Sequence, residues 1–376
     1  MLIFLGKTFH ISLYLMVLVI ATSAADVLVY RWGPLDWLRI HDTGENSKRW
    51  LRWRVTSFDV SEQTIIYFDR KGSFYVYDLK NQQEIYLGRN IKSYQFSDRS
   101  VAFEDQMGRL FGADTDSGKL RLISSNTKKY ALSGSNLFYL DSENRLKSYS
   151  ITSGREREIV QKINSFQVTK NYLVYVDSDF RIWMANPRFP RPEILEGISG
   201  EVKLVDNFLI IGGPWGSTEV FDLAKKQFIY VSSDLAELTL TSHLMVYSMK
   251  FGGLMVRNFK SLEERILGDF HGGWRACEKK IGFQHWGEVI FYDHERDEKF
   301  NLGKGLFDFA VGEGGIAYRL GPTDLKYYDS VSGEVLSISG RVSSFQIMNG
   351  SKPSFVVHSP QAWRKENFKS FYQSEH

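Results

Sequence analysis

A strand signature that returns at a nearly fixed interval constrains the fold of this chain more than any other feature. The signature is an apolar residue, any residue and then a second apolar residue. Its first members are Phe58, Tyr94, Tyr130, Phe166, Val202, Leu238, Trp274, Phe309 and Phe345. Every interval is 36 residues except the one from Trp274 to Phe309, which is 35. Because a fixed period of this length is typical of stacked supersecondary units, the chain is predicted to be a repeat protein.

Each period contains four short apolar runs separated by turn residues. In the first complete unit the runs cover residues 57–60, 65–68, 74–78 and 84–88, and they are rich in β-branched and aromatic side chains. One such four-stranded sheet cannot bury both of its faces alone, so the units must pack against one another. The sequence therefore predicts an all-β fold, a β-propeller of four-stranded blades with a 36-residue repeat.

The sequence predicts about eight blades, with nine as the alternative. Eight units are complete between about Val55 and Ser339, and a ninth begins at residues 344–347 before the pattern stops. Two N-terminal strands, at 27–30 and 37–40, are candidates to complete that sheet by pairing with residues 341–358. Pairing of the two chain ends would close the ring without an exposed edge. The propeller is predicted to span residues 26–358.

The first 25 residues are predicted to be a secretory signal peptide. Lys7 precedes an apolar run from Ile11 to Ile20, and small residues follow at 21–25. The run is short for a membrane span, so an uncleaved anchor is the less favoured alternative. We expect a periplasmic or secreted protein without stable membrane insertion after cleavage. Residues 359–376 form a tail that suits a short helix.

Composition argues against several classes of ligand. The formal net charge of the chain is only +3, which is too small for a nucleic-acid partner bound through counterion release. A single cysteine, Cys277, forms no internal disulfide. The sequence contains no phosphate-binding loop, and no cofactor is expected.

The repeats resemble a known group of proteins. The segment Tyr327-Tyr328-Asp329, followed by Ser332-Gly333-Glu334, is similar to strand and turn sequences of exported bacterial propellers related to the Tol-associated periplasmic propeller. A looser similarity connects it with tryptophan-aspartate-repeat propellers. This resemblance spans the whole repeat array, and it implies an extracytoplasmic binding or scaffolding role.

The sequence predicts no catalytic or metal-binding residues. His271, His285 and His294 lie within one repeat, near Cys277 and Glu288. Their spacings of 14 and 9 residues match no standard ligand pair, so chance clustering of surface histidines is the favoured interpretation. Enzymatic activity is left open but is not favoured.

Two groups of aromatic residues are candidate binding sites. Trp32, Trp37, Trp50 and Trp53 lie among arginines near the N-terminus, and they suit either a partner interface or the sealing of the ring. In later repeats, glycine-flanked aromatics replace the charged loops of the early repeats. The candidates for ligand or partner binding there are Trp215, Phe251, His271, Trp274, His285 and Trp286. The alternative is that these rings fold inward and cap the core.

The sequence thus predicts an exported, non-catalytic propeller that acts as a binding or scaffolding module. Its partner is expected to be a protein or a glycan. The alternative is a secreted carbohydrate-active hydrolase or lyase with its site on the aromatic loop face.

Overall fold

The chain folds as a ring of nine four-stranded antiparallel sheets. The computed structural model describes residues 27–33, 35–43, 47–61, 63–97, 99–188, 191–198, 201–212, 218–230, 235–249, 253–269, 272–321, 324–340 and 342–347. Within these ranges every regular element is a strand, and the 36 strands make nine sheets. The prediction of an all-β propeller is confirmed, and the nine-blade alternative is the one adopted. The predicted signal peptide and the C-terminal tail lie outside the described residues.

Each blade has an innermost strand A, followed outward by strands B, C and D. Strands A of neighbouring blades contact one another around the central axis. Blade 1 combines both chain ends: β36 (Val342–Ile347), β1 (Val27–Trp32), β2 (Trp37–Asp42) and β3 (Ser47–Arg52).

The strands of blades 2 to 5 follow in chain order. Blade 2 has β4 (Val55–Val60), β5 (Thr64–Asp69), β6 (Ser73–Asp78) and β7 (Gln83–Arg89). Blade 3 has β8 (Ile91–Phe96), β9 (Ser100–Asp105), β10 (Leu110–Asp114) and β11 (Leu120–Ser124). Blade 4 has β12 (Thr127–Ser133), β13 (Asn136–Asp141), β14 (Leu146–Ser150) and β15 (Glu156–Val160). Blade 5 has β16 (Ile163–Val168), β17 (Leu173–Asp177), β18 (Ile182–Ala185) and β19 (Glu193–Ile194).

The strands of blades 6 to 9 repeat the same order. Blade 6 has β20 (Val202–Val205), β21 (Phe208–Gly212), β22 (Thr218–Asp222) and β23 (Gln227–Tyr230). Blade 7 has β24 (Leu235–Leu240), β25 (Leu244–Met249), β26 (Leu254–Asn258) and β27 (Glu264–Gly268). Blade 8 has β28 (Trp274–Cys277), β29 (Lys280–His285), β30 (Glu288–Asp293) and β31 (Glu298–Lys304). Blade 9 has β32 (Leu306–Val311), β33 (Gly315–Leu320), β34 (Leu325–Asp329) and β35 (Val335–Ser339).

The two chain ends close the ring within blade 1. Strand β36 pairs antiparallel with β1, with Leu28 opposite Ile347. Arg31 Nε donates a hydrogen bond of 2.9 Å to Ser344 Oγ across this pair. Gln346 Nε2 then donates to the carbonyl of Phe58 in blade 2 at 3.0 Å. The closing strand is therefore bonded both to its own blade and to the next one.

Apolar clusters between neighbouring blades form the core. Between blades 7 and 8, Val246 and Val256 pack against Trp274 and Phe283, and all four side chains are buried. Full burial of such a side chain contributes about 1.5–3 kcal/mol to folding. Because each cluster needs both blades, one repeat cannot fold alone.

Glutamines on strand A connect inner edges that lack a pairing strand. Gln95 Nε2 donates to the carbonyl of Tyr130 at 3.2 Å, and Gln95 Oε1 accepts from the backbone N–H of Leu132 at 2.8 Å. Gln167 makes the same pair of bonds to blade 6, at 2.7 and 2.8 Å. The side-chain amide thus satisfies backbone groups of the neighbouring edge strand.

The ring has two different faces. The loops joining strands B and C, and the links from each strand D to the next strand A, lie on one face, which we call the linker face. The hairpins joining A to B and C to D lie on the opposite face. In the described part of the chain, no helix is long and apolar enough to cross a membrane.

Candidate functional site on the linker face

An aspartate organises each B–C loop of blades 2 to 5, and in blades 3 to 5 it is buried. In blade 4, Asp141 Oδ1 accepts hydrogen bonds from the backbone N–H groups of Glu143 and Arg145, both at 3.0 Å. Its Oδ2 accepts from Arg145 Nε at 2.8 Å. Asp105 and Asp177 form the same bonds to Arg109 and Arg181.

Electrostatics keeps these aspartates ionised. Burial by itself would raise the pKa of Asp141, but hydrogen bonds from the backbone and guanidinium of Arg145 outweigh that effect and hold the pKa below its usual range. The pKa of Asp105 and that of Asp177 are lowered by the same kinds of bond, with the Trp183 indole N–H adding to the effect at Asp177.

In blade 5, a loop position with a left-handed backbone holds a residue type that disfavours this conformation. Three residues after each aspartate the backbone is left-handed, and the residue there is Gly72, Gly108 and Asn144 in blades 2 to 4. Glycine and asparagine tolerate this conformation. Blade 5 instead has Phe180, with φ of 61° and 79% of its side chain exposed. The fold requires neither an aromatic ring nor a large residue at this position, so Phe180 is a candidate functional residue.

Trp286 in blade 8 also combines a left-handed backbone with a bulky side chain. Trp286 and Gly287 form the two-residue turn between β29 and β30, with φ of 49° and 77°. Such a turn favours Asn-Gly rather than a bulky residue at its first position. The Trp286 side chain is nevertheless 69% exposed, and its ring meets that of His285 edge-on at 6.4 Å between centroids.

The single 35-residue interval has its origin in this turn. In blade 8, the cross-strand partners Phe283 and Ile290 are seven residues apart, whereas Tyr67 and Tyr75 of blade 2 are eight apart. The B–C loop of blade 8 has therefore lost one residue relative to the repeat. The only irregular period in the sequence thus marks the loop that presents Trp286.

A small cleft adjoins this turn, between blades 7 and 8. Its volume is about 220 Å³, and its lining residues are Leu267, Gly268, Phe283, His285, Ile290, Lys299, Phe300 and Asn301. Leu267 and Phe283 are buried and make its floor apolar. At the rim, Lys299 Nζ donates to the carbonyl of Leu267 at 2.8 Å, and His285 Nδ1 lies 2.5 Å from the carbonyl oxygen of Asp269.

The four N-terminal tryptophans lie together, as the sequence suggested by their proximity. The Arg39 guanidinium lies between two rings, 3.2 Å from the Trp50 centroid and 4.1 Å from that of Trp32. Trp37 contacts Trp50 at 5.1 Å and Trp53 at 6.3 Å. Trp32 packs against the core between blades 9 and 1, whereas Trp50 and Trp53 are nearly half exposed. The cluster thus combines a packed base with two solvent-facing rings.

The other predicted site residues have different outcomes. Trp215, Phe251 and His271 lie outside the described residues. Trp274 is only 5% exposed, and its indole N–H donates to Thr239 Oγ1 at 3.1 Å, so it belongs to the core rather than to a binding face. Its place at the strand position shared by every repeat is the sequence feature that indicates this core role.

The histidines do not form a group. His285 lies on the linker face, whereas His294 lies at a C–D hairpin on the opposite face, with Nε2 2.9 Å from Asn258 Nδ2. Burial and the charge of Arg265 lower the pKa of His294. Within the described ranges, no set of three histidine, cysteine, aspartate or glutamate side chains is arranged to hold a metal ion.

Sequence reasoning missed four exposed apolar residues of the linker face: Leu35, Met107, Phe180 and Phe307. The signal was available by aligning the repeats with one another. Met107 stands where neighbouring blades have Lys71, Glu143 and Asp179. Phe307 stands at a strand bulge where most other blades have a polar residue, such as Thr56 or Asn164.

The linker face divides into two sectors of unlike charge. The basic sector comprises the links 52–56, 88–92, 124–128 and 160–164 and the loops 69–73, 105–109, 141–145 and 177–181. It contains eleven cationic and six anionic side chains, a net charge of +5. The aromatic sector comprises the links 268–272, 303–307 and 339–343 and the loops 285–288, 320–324 and 32–37. Its described residues contain one cation and four anions, a net charge of −3.

More exposed apolar side chains lie on the linker face than on the opposite face. Among the large apolar residues that the structure describes, the exposed ones in linker-face loops and links are Leu35, Trp53, Met107, Phe180, Trp286 and Phe307. On the hairpins of the opposite face they are Leu262 and Val331. The remainder lie on outer strands.

Comparisons with known proteins identify the fold. No protein-family model matches the sequence, and no curated protein matches it. A solved structure described as the eukaryotic initiation factor is 10% identical with a TM-score of 0.58, over 89% of this chain and 99% of that chain. BamB from Moraxella catarrhalis is 16% identical with a TM-score of 0.41, over 70% and 92%. The C-terminal WD40 domain of Sif2 is 12% identical with a TM-score of 0.40, over 74% and 93%. At such identities the likeness concerns the fold alone, which is that of a β-propeller.

Proposed function

We propose that this protein is an exported binding and scaffolding module that docks a protein partner on its aromatic sector. The observation that carries the proposal is Trp286, a largely exposed ring held in a turn that would fold better with asparagine. The largely exposed ring gains little burial in return for this conformational cost, which favours a role in binding.

The neighbouring cleft supports a protein rather than a glycan as partner. Its volume of about 220 Å³ lies below the range of roughly 300–1,000 Å³ that accommodates small-molecule ligands. It suits one apolar side chain of a partner, inserted beside Trp286. Tryptophan is also among the residues most enriched at binding hot spots.

The tryptophan cluster provides a second contact on the same sector. Trp50 exposes ring surface beside loop 32–37, above a base fixed by Arg39. Rigid aromatic side chains lose little conformational entropy on binding, so they make efficient anchors. Loops 32–37 and 285–288 are separated by blade 9, so a partner that contacts both loops would span blades 8, 9 and 1.

Export is supported by the N-terminal sequence and by the resemblance to exported bacterial propellers. An apolar run at 11–20 followed by small residues at 21–25 predicts cleavage near Ala25. Intact mass and fractionation of the native protein test this part separately. Recovery of the uncleaved chain in the membrane pellet would contradict it.

The carbohydrate-active alternative has less support. On the aromatic loop face, Glu288 accepts from Asn301 Nδ2 at 2.6 Å and pairs with Lys304 at 3.2 Å, so this carboxylate is engaged within its own blade.

Photo-crosslinking from the turn tests the proposed docking site. A photoreactive phenylalanine analogue at position 286 should crosslink one or a few envelope proteins, which mass spectrometry would identify. The same analogue at position 262, an exposed left-handed position on the opposite face, is the matched control. Trp286→Asn should abolish binding of the identified partner to the purified protein. Equal crosslinking from both positions, or unchanged binding by Trp286→Asn, would contradict the proposal.

A further inference from the structure

The basic sector of the linker face is not used by the proposed protein-docking site. It spans four of the nine blades, and its net charge of +5 exceeds the +3 of the whole chain. The rest of the chain therefore carries a net charge of −2 (+3 minus +5), so positive charge is concentrated in this sector. Total charge alone conceals this distribution.

Three apolar side chains project from the same sector. Trp53, Met107 and Phe180 are 46%, 77% and 79% exposed. Each lies on a different link or loop, and cations stand beside them: the Arg54 guanidinium lies 4.3 Å from the Trp53 ring centroid, and Arg181 follows Phe180 directly. The repeats show that the fold does not require these apolar residues, because Arg89, Lys71 and Gly72 occupy the corresponding positions elsewhere.

We propose that the basic sector docks peripherally on an anionic membrane surface. Lysines and arginines would attract acidic lipid headgroups, while Trp53, Met107 and Phe180 would insert into the boundary between headgroups and acyl chains. An anionic membrane surface binds cationic side chains at its headgroups and amphipathic or apolar side chains just below them.

The arrangement fits a bilayer better than a protein or a nucleic acid. The centre of a protein interface is depleted of charged residues, whereas these tips stand on separate blades among eleven cationic side chains. A nucleic acid would use the cations but would leave Met107 without a role. A fluid bilayer accepts several separate tips that lie on one face of a rigid ring. The proposal concerns lipid rather than the partner of Trp286, so either proposal can fail alone.

Vesicle binding by the purified processed protein tests the electrostatic component. We expect the protein to partition into phosphatidylcholine vesicles that contain 30 mol % phosphatidylglycerol and to partition little into vesicles of phosphatidylcholine alone. Partitioning into the acidic vesicles should be lost in 0.5 M NaCl. Each cation near such a surface raises the partition coefficient into vesicles about fivefold. Replacing Lys71, Lys128 and Lys162 by glutamine should therefore weaken partitioning about 100-fold.

A charge-matched variant separates the sector from net charge. Lys80, Lys119 and Lys260 are exposed on the hairpins of the opposite face. Their replacement by glutamine removes the same three charges and should change partitioning by less than about threefold. Equal losses from the two triple variants would overturn the proposal, as would partitioning that does not depend on the acidic lipid.

Site-specific labelling tests the orientation. The one native cysteine, Cys277, is 5% exposed, so a new surface cysteine can be labelled selectively. An environment-sensitive fluorophore on Met107→Cys should shift to shorter wavelength when acidic vesicles are added. The same label on Val331→Cys, on the opposite face, should not shift. A shift at position 331 alone, or binding of a labelled 20-nucleotide RNA without any binding of vesicles, would overturn the proposal.

Discussion

The basic and aromatic sectors use one loop position in opposite ways. In blades 2 to 5 the position at the end of strand B is an aspartate that ties the following loop to itself. In blades 8, 9 and 1 the equivalent residues are His285, Leu320 and Trp32. A self-satisfied turn leaves its outer surface available for charge, whereas the blade 8 loop, which lacks the carboxylate, presents an aromatic ring. The same scaffold thus carries two chemistries on one face.

The difference teaches that the repeat itself serves as an internal control. Residues present at equivalent positions in most blades serve the fold, whereas a deviation in one blade needs another explanation. Phe180 and Trp286 are such deviations, each in a left-handed conformation that disfavours a large side chain.

The largest difference between the sectors should appear when the position at the end of strand B is truncated. Asp177→Ala removes the acceptor of bonds from the N–H groups of Asp179 and Arg181 and from the Trp183 indole. We expect the free energy of unfolding to fall by about 2 kcal/mol, because a buried carboxylate that accepts several part-buried hydrogen bonds is removed. His285→Ala in blade 8 should cost about 1 kcal/mol or less. Urea denaturation measures the free energy of unfolding of both variants. Similar losses in Asp177→Ala and His285→Ala would contradict the distinction between the two kinds of loop.

The aromatic sector should depend more on its stacked arginine than the basic sector does. Arg39→Met removes a guanidinium that lies between Trp32 and Trp50, and we expect a loss of about 2 kcal/mol. Arg54→Met removes a guanidinium that lies over the exposed Trp53 ring alone, and the free energy of unfolding should fall by about 0.5 kcal/mol. Thermal melts of the two variants make the comparison. A larger loss from Arg54→Met would show that the tryptophan cluster is not anchored by Arg39.

Low pH should destabilise the fold by protonating the aspartates of the basic sector. The folded-state pKa of Asp105, Asp141 and Asp177 is lowered, so each stabilises the fold above its unfolded pKa of about 3.9 and loses that contribution as pH falls through the folded value. The melting temperature should therefore decline below about pH 4. The gap between wild type and Asp177→Ala should narrow over the same range. A gap that stays constant down to pH 2 would mean that the carboxylate charge contributes nothing.

Much of the fold was predictable from the sequence, and less of the site. The 36-residue period fixed the four-stranded blade because every strand must bury residues against its neighbours. The choice between eight and nine blades depended on whether β1 pairs with β36, a contact between chain ends that no local pattern encodes.

The candidate site was only partly accessible to such reasoning. Trp286 was identified because aromatic residues beside glycine stand out in a loop. Trp274 was misassigned because the glycines before it suggested a loop, although it also occupies the strand position repeated in every blade. Phe180 was missed because it stands out only when the repeats are aligned, where the equivalent residues are Gly72, Gly108 and Asn144.

The central claim is that the exposed rings of the linker face serve binding and not folding. The most direct measurement compares wild type with the double variant Phe180→Gly, Trp286→Asn, in which each residue becomes one that its turn favours. The free energy of unfolding should stay equal or rise by up to about 1 kcal/mol. Partitioning into acidic vesicles should fall about tenfold, and binding of the partner crosslinked at position 286 should be lost. A destabilisation of more than about 2 kcal/mol with both binding activities retained would contradict the account.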